Sequence, residues 1–141
     1  MQPNNNHRKL IEELHRIWNT GDVDSIPNVY SDDFVVHWPK GWGAKAFGQE
    51  GIKASIMETR RIFTNWNEEI LDMIVGEDKV VTRYRSTGLH SAEYLSFSPT
   101  GKKIEFEEIS IYRIDKNKVV EQWCLGDDFH LQNQLKEDLV S

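Results

Sequence analysis

Among 141 residues there is one cysteine, Cys124, so no internal disulfide can form and no paired-cysteine zinc pattern exists. Histidines number five, but none stands in an H-E-x-x-H spacing, and no metal site is expected. No apolar run is long enough to span a membrane, because charged residues interrupt every hydrophobic stretch. The first residues, Met1 to His7, are polar and rich in asparagine and lack the apolar core of a secretory signal, so a cytoplasmic location is expected. Excess positive charge is missing as well. Seventeen basic against twenty-three acidic side chains leave a net charge of -6, which on average repels a phosphate backbone or an anionic lipid surface. Neither nucleic acid nor membrane is expected as a partner. The cluster of Arg60, Arg61 and Lys53 falls at helical spacing and reads as a solvated helix face. There is no internal repeat or low-complexity stretch.

What is present is apolar and aromatic enough for one core: 38% hydrophobic and 11% aromatic residues, with five tryptophans. At this length folding buries roughly two thirds of the unfolded surface, enough for a single domain. Residues 1–8 read as a flexible polar tail and 9–141 as that domain. Leu10, Ile11, Leu14, Ile17 and Trp18 form the stripe of an amphipathic helix over Arg8 to Asn19, ended by Gly21. A short second helix is predicted from a cap at Asp22–Ser25 to about Tyr30, and a strand over Phe34 to Trp38, stopped by Pro39. Lys40 to Gly51 holds four glycines and reads as a loop, the best candidate for a mobile lid. Ile52, Ile56, Thr59 and Phe63 mark a third helix. Four strands follow, at Asn67–Val75, Lys79–His90, Lys102–Ile114 and Val119–Leu125, and then a last helix carrying Phe129, Leu131, Leu135 and Leu139. Helices first and long strands after make an α+β domain. Its curved antiparallel sheet, wrapped around three or four helices, would form a cone with one internal pocket.

Several segments carry a likeness. They are Phe63-Thr64-Asn65-Trp66, Glu77 to Val81, Thr87 to Ser91, Pro99-Thr100-Gly101-Lys102, Val119 to Trp123, and Asp127 with Gln134-Leu135. In their order and spacing they resemble successive blocks of the SnoaL-like polyketide cyclase family, within the nuclear transport factor 2-like superfamily, over nearly the whole chain. The chain departs from the family pattern at Thr64-Asn65, where Pro-Asp is usual, and at Gly88 to Ala92, where small hydroxyl-bearing residues are usual. The resemblance implies a cofactor-free acid/base enzyme whose best-known relatives close a ring by intramolecular aldol condensation. It implies a base four residues after a tryptophan near the end of the last strand, which is Asp127 after Trp123. It also implies a homodimer through the sheet face.

The residues themselves carry related chemistry. With period two, Glu121, Trp123, Leu125 and Asp127 share one face of a regular strand. If that face lines the pocket, apolar walls raise the Asp127 pKa and suit it to take a proton from carbon. The same Asp127-Asp128 pair also suits the start of a helix. His90 is the expected donor to the oxygen on which enolate charge develops, and His37 a second polar group in the mouth. His7, His15 and His130 read as surface or packing residues. Trp38 and Trp123 would stack on a flat ligand. Tyr112 and Glu108 are further binding candidates, although Glu108 and Ser110 sit equally well on a buried or an outer sheet face. The leading expectation is an aldol-type cyclase or related catalyst on a small apolar or aromatic ketone or ester. The alternatives are a non-catalytic small-molecule binding module and isomerase, epoxide hydrolase or hydroxylase chemistry in the same pocket. Epoxide opening would need an arginine between two carboxylates, and Arg83 and Arg85 are the candidates.

Overall fold

The computed structural model describes residues 4–42 and 46–136. Helix α1 (Asn4–Thr20) lays Leu10, Ile11, Leu14, Ile17 and Trp18 into the core, following the sequence periodicity. It begins inside the predicted polar tail, whose residues 1–3 lie outside the described residues. Its end is closed twice. Gly21 adopts φ +75° and donates its N–H to Ile17 O at 2.8 Å, a left-handed cap that favours glycine. The Arg60 guanidinium donates to the carbonyls of Trp18 and Asn19 at 2.9 and 2.8 Å. Arg60 therefore does more than solvate a helix face.

A 3-10 helix (Val23–Asn28) stands where the second helix was predicted, and strand β1 (Tyr30–His37) begins four residues earlier than expected. The predicted lid is largely ordered structure: a 3-10 turn at Lys40–Trp42, the short strand β2 (Ala46–Phe47), and helix α2 (Gly48–Ile62). Residues 43–45 of that segment lie outside the described ones. The long strands are β3 (Phe63–Val75), β4 (Lys79–His90), β5 (Lys103–Asp115) and β6 (Lys118–Gly126), followed by α3 (Asp128–Lys136). The part of the last helix predicted at Leu139 lies outside the described residues.

The six strands form one sheet in the order β2-β1-β6-β5-β4-β3. The expectation of a wholly antiparallel sheet needs one correction, since β1 and β6 run parallel. The connection between them comprises α2 and the four strands β2 to β5, long enough for a parallel crossover. Along β4 and β5 burial alternates residue by residue, with Thr82, Tyr84, Ser86, Phe106, Glu108, Ser110 and Tyr112 all turned inward. The sheet is curved and unclosed, and α1, α2 and α3 cover its concave side. Among the described residues no helix is long and apolar enough to cross a membrane.

Candidate active site

The concave side of the sheet encloses a cavity of about 630 Å³, walled mainly by Leu14, Trp18, Trp38, Phe63, Trp66 and Phe106. Its size lies within the range of ordinary small-molecule sites. Near its mouth stand Gly41 and Trp42, the exposed side of α2 at Ser55 and Glu58, and the segment after β4 at Glu93, Tyr94 and Leu95. Trp42 fits because position 126 is glycine: a Cβ there would lie 2.7 Å from the indole Cη2.

Into this apolar space two carboxyls project from different strands, Glu68 of β3 and Glu108 of β5. Glu68 accepts hydrogen bonds from Trp66 Nε1 at 2.9 Å and from His15 Nδ1 at 2.7 Å. The other ring nitrogen of His15 lies 3.1 Å from both Thr82 Oγ1 and the Tyr112 hydroxyl. His15 thus fixes the Glu68 carboxyl from behind. Reading His15 as a surface or packing residue missed this, because on a helix its apolar neighbours hide the one polar position that turns inward. A signal was present: His15 lies between Leu14 and Ile17, on the edge of the apolar stripe.

Glu108 accepts from Ser86 Oγ at 2.6 Å and from Cys124 Sγ at 3.3 Å. Burial, followed by the repulsion of the Glu68 carboxylate, pushes the Glu108 pKa up to about 8. These are the two effects that disfavour a second negative charge in a dry site, and they outweigh the donors that favour it. The same burial pushes Tyr84, Tyr112 and Cys124 well above their ordinary values. At neutral pH the inner end of the cavity therefore presents phenols and a protonated carboxyl, with the Cys124 thiol bonded to that carboxyl from outside the cavity wall.

The predicted site residues separate into two groups. Trp38, Tyr112 and Glu108 line the cavity. The other four do not. Asp127 is exposed, and its Oδ1 accepts the His130 N–H at 3.1 Å, capping the start of α3. Its expected role as a base inside the pocket is corrected by that placement. Trp123 lies on the outer sheet face, stacked on His37 with centroids 5.5 Å apart, and His37 Nε2 contacts Glu121 Oε2 at 2.8 Å. Glu121 is held below the usual carboxylate range by the His37 hydrogen bond and by Arg113. His90 does turn inward, but it packs on Phe63 and is absent from the cavity wall. Its Nδ1 accepts the Thr100 backbone N–H at 3.1 Å, and burial lowers its pKa.

The cause lies in β6. A bulge between Val119 and Glu121 inserts one residue against Arg113-Ile114 of β5, so inward parity passes from Val119 to Gln122 and Cys124. A one-residue shift carries every later side chain to the opposite face. Glu121, Trp123 and Leu125 share a face as expected, but it is the outer one. Asp128, next to the predicted base, accepts Trp42 Nε1 at 3.0 Å and also receives the Tyr94 hydroxyl and the Gln132 amide. It ties the cavity mouth to α3.

Arg83 and Arg85 lie outside the cavity. Arg83 bridges Asp72 and Glu107, and Arg85 pairs with Glu69 and Glu105. Neither stands between two carboxylates facing the cavity, so the arrangement that epoxide opening would need is not formed by these residues.

The family model described as SnoaL-like polyketide cyclase matches residues 8–135. A Bacillus cereus structure for which polyketide cyclase activity is proposed is 33% identical, with a TM-score of 0.74 over 90% of this chain and 78% of its own. IdmH of Streptomyces antibioticus, for which the same activity is proposed, is 25% identical, with a TM-score of 0.82 over 96% of this chain and 99% of its own. AclR of Streptomyces galilaeus, proposed to be a hydroxylase, shares the fold at 22% identity and a TM-score of 0.78, over 92% of this chain and 95% of its own. No curated protein matches the chain significantly.

Proposed function

From the premise that the chain belongs to the SnoaL-like polyketide cyclase family, we propose that it is a cofactor-free acid/base catalyst acting on a small apolar or aromatic ketone or ester, of the aldol-cyclising kind. The observation that carries this reading is the pair of buried carboxyls, Glu68 and Glu108, facing one apolar-walled cavity in unlike environments. Two carboxyls whose surroundings differ can divide the labour of acid and base.

Glu108, protonated at neutral pH, donates a hydrogen bond to the carbonyl oxygen of the substrate. Glu68, oriented by His15 and Trp66, takes the α-proton. The electron pair of the C–H bond moves into an enolate whose oxygen is stabilised by the Glu108 proton. In a substrate with a second carbonyl, the enolate carbon attacks it, one C–C bond forms, the enolate returns to a ketone, and the new alkoxide takes the proton that Glu68 removed, which restores both carboxyls to their starting states. Trp38, Trp66 and Phe106 supply flat apolar surface for the rings.

The outer sheet face supports a homodimer. Ile109 faces Leu125 and Ile111 faces Trp123 across the β5–β6 ladder, and all four are exposed.

Exchange of α-protons tests the chemistry without knowledge of the natural substrate. In deuterated buffer the protein is expected to accelerate α-deuteration of β-tetralone, followed by NMR, and Glu108→Gln to slow it by about 10²- to 10⁴-fold. Exchange no faster than in buffer, or unaffected by the substitution, refutes the reading.

A further inference from the structure

We propose that residues 93–99 form a gate over the cavity, and that Asp128 holds this gate shut through the Tyr94 hydroxyl. The inference concerns entry and release, and it rests on the reading that the cavity is where the ligand binds.

The mouth of the cavity has two sides of unequal firmness. One is helix α2, whose Ile52 and Ile56 are fully buried, so withdrawing its rim at Ser55 and Glu58 would pull both isoleucines out of the core. The other is the strap that follows β4 and carries Glu93, Tyr94 and Leu95. This strap is anchored at both ends: the Ala92 N–H donates to Ile62 O at 3.3 Å, and the Thr100 N–H to His90 Nδ1 at 3.1 Å. Between the anchors, among the described residues, the backbone makes no hydrogen bond to any other segment. Its two bonds are internal and pair Tyr94 with Phe97, at 3.0 and 2.8 Å. They close a turn in which Leu95 adopts φ +53°, a left-handed conformation that a leucine takes only at a cost. A segment with so little backbone bonding to its surroundings opens at low free energy.

Side chains hold the strap down. Tyr94 and Phe97 pack on the edge of the core, and the Tyr94 hydroxyl donates to Asp128 Oδ1. The same oxygen accepts Trp42 Nε1 at 3.0 Å, while the Gln132 amide secures the other oxygen from within α3. Both aromatic side chains rest on walls of the cavity: Tyr94 lies on Phe63 with ring centroids 5.3 Å apart, and Trp42 stands edge-on to Phe106 at 6.0 Å. A phenol and an indole thus roof the mouth, and one carboxylate fixed to α3 pins them. Of the two, only Tyr94 belongs to the strap, so loss of its bond frees the strap to turn about Ala92 and Thr100. Its hydroxyl is spent on Asp128, so that bond sets the cost of opening and leaves the closed site unaltered. Entry and release should therefore change by one factor, with Kd constant.

Stopped-flow tryptophan fluorescence of the full chain mixed with β-tetralone measures both rate constants. Tyr94→Phe keeps the ring and removes the hydroxyl. It is expected to raise kon and koff together by about tenfold, the factor that one hydrogen bond to a charged group supplies. Asp128→Ala removes the same anchor from the other side, leaves the Asp127 cap of α3 in place, and should accelerate both steps at least as much. Chymotrypsin, which cleaves after aromatic residues and leucine, reads strap opening without a ligand and is expected to cut the native strap about tenfold faster in Tyr94→Phe. Unchanged cleavage, unchanged rate constants, or a rise in koff alone, which marks a weakened site, overturns the inference. If β-tetralone binds neither the wild-type protein nor the variants, the gate and the catalytic reading fall together. If both rate constants rise while α-proton exchange is insensitive to Glu108→Gln, the gate stands and only the catalytic reading falls.

Discussion

Replacing Glu108 by glutamine should change how the protein's stability depends on pH, and the size of the change follows from burial. The Glu108 carboxyl is 5% exposed, and its pKa rises in the folded state from 4.5 to about 8. Below 4.5 the folded and unfolded chains both hold the proton, and the neutral carboxyl sits in the cavity without penalty. Between 4.5 and about 8 the unfolded chain has released its proton and the folded chain retains it. Stability then falls with rising pH by up to about 1.4 kcal/mol per pH unit, or about 5 kcal/mol across the interval. Above about 8 both states are ionised and the loss is complete. Glutamine keeps the shape and can accept from Ser86, but it does not titrate. Denaturant unfolding of both proteins, followed by tryptophan fluorescence between about pH 5 and about pH 9, measures the difference. The wild-type protein should lose several kcal/mol relative to the variant over this range and level off at its upper end. Parallel curves would refute both the elevated pKa and the acid role that depends on it.

Two further outcomes follow from the packing. Gly126→Ala places a Cβ 2.7 Å from Trp42 Cη2 and 3.3 Å from Glu108 Cγ, which should cost about 1–3 kcal/mol of stability. It should also move the indole away from Asp128, so the Trp42 indole N–H resonance should shift, and an unchanged resonance would contradict this account of the mouth. Leu125→Glu puts a charge among Ile109, Ile111 and Trp123 on the outer face. Sedimentation should show a dimer for the wild-type protein and a monomer for the variant; a monomeric wild-type protein would exclude assembly through this face.

Much of the architecture was legible because it rests on periodicities that the chain displays locally. The stripe from Leu10 to Trp18 specifies a buried helix face, and the alternation along Lys79–His90 and Lys103–Asp115 specifies strands with one face inside. The ordered blocks from Phe63 to Leu135 carried the family. Glu108 was recognisable as a residue sharing parity with Phe106 and Tyr112, although only the assembled sheet shows that this parity is the inner one. His15 could not be assigned in the same way, since its partners Glu68, Thr82 and Tyr112 lie at least 53 positions away along the chain.

The sequence by itself determined the order of the long elements, the α+β class, the membership of a family and the presence of one apolar interior. It could not determine which side of the last strand faces that interior. Val119 points inward, and unbroken alternation from it would carry Trp123 and Asp127 inside as well. The bulge before Glu121 reverses the alternation, leaving Asp127 to cap a helix and turning Gln122 and Cys124 toward Glu108 and its neighbours. A bulge arises where two strands of unequal local length must stay paired. That requirement belongs to the partner strand as much as to the bulged one, and only the assembled sheet decides it.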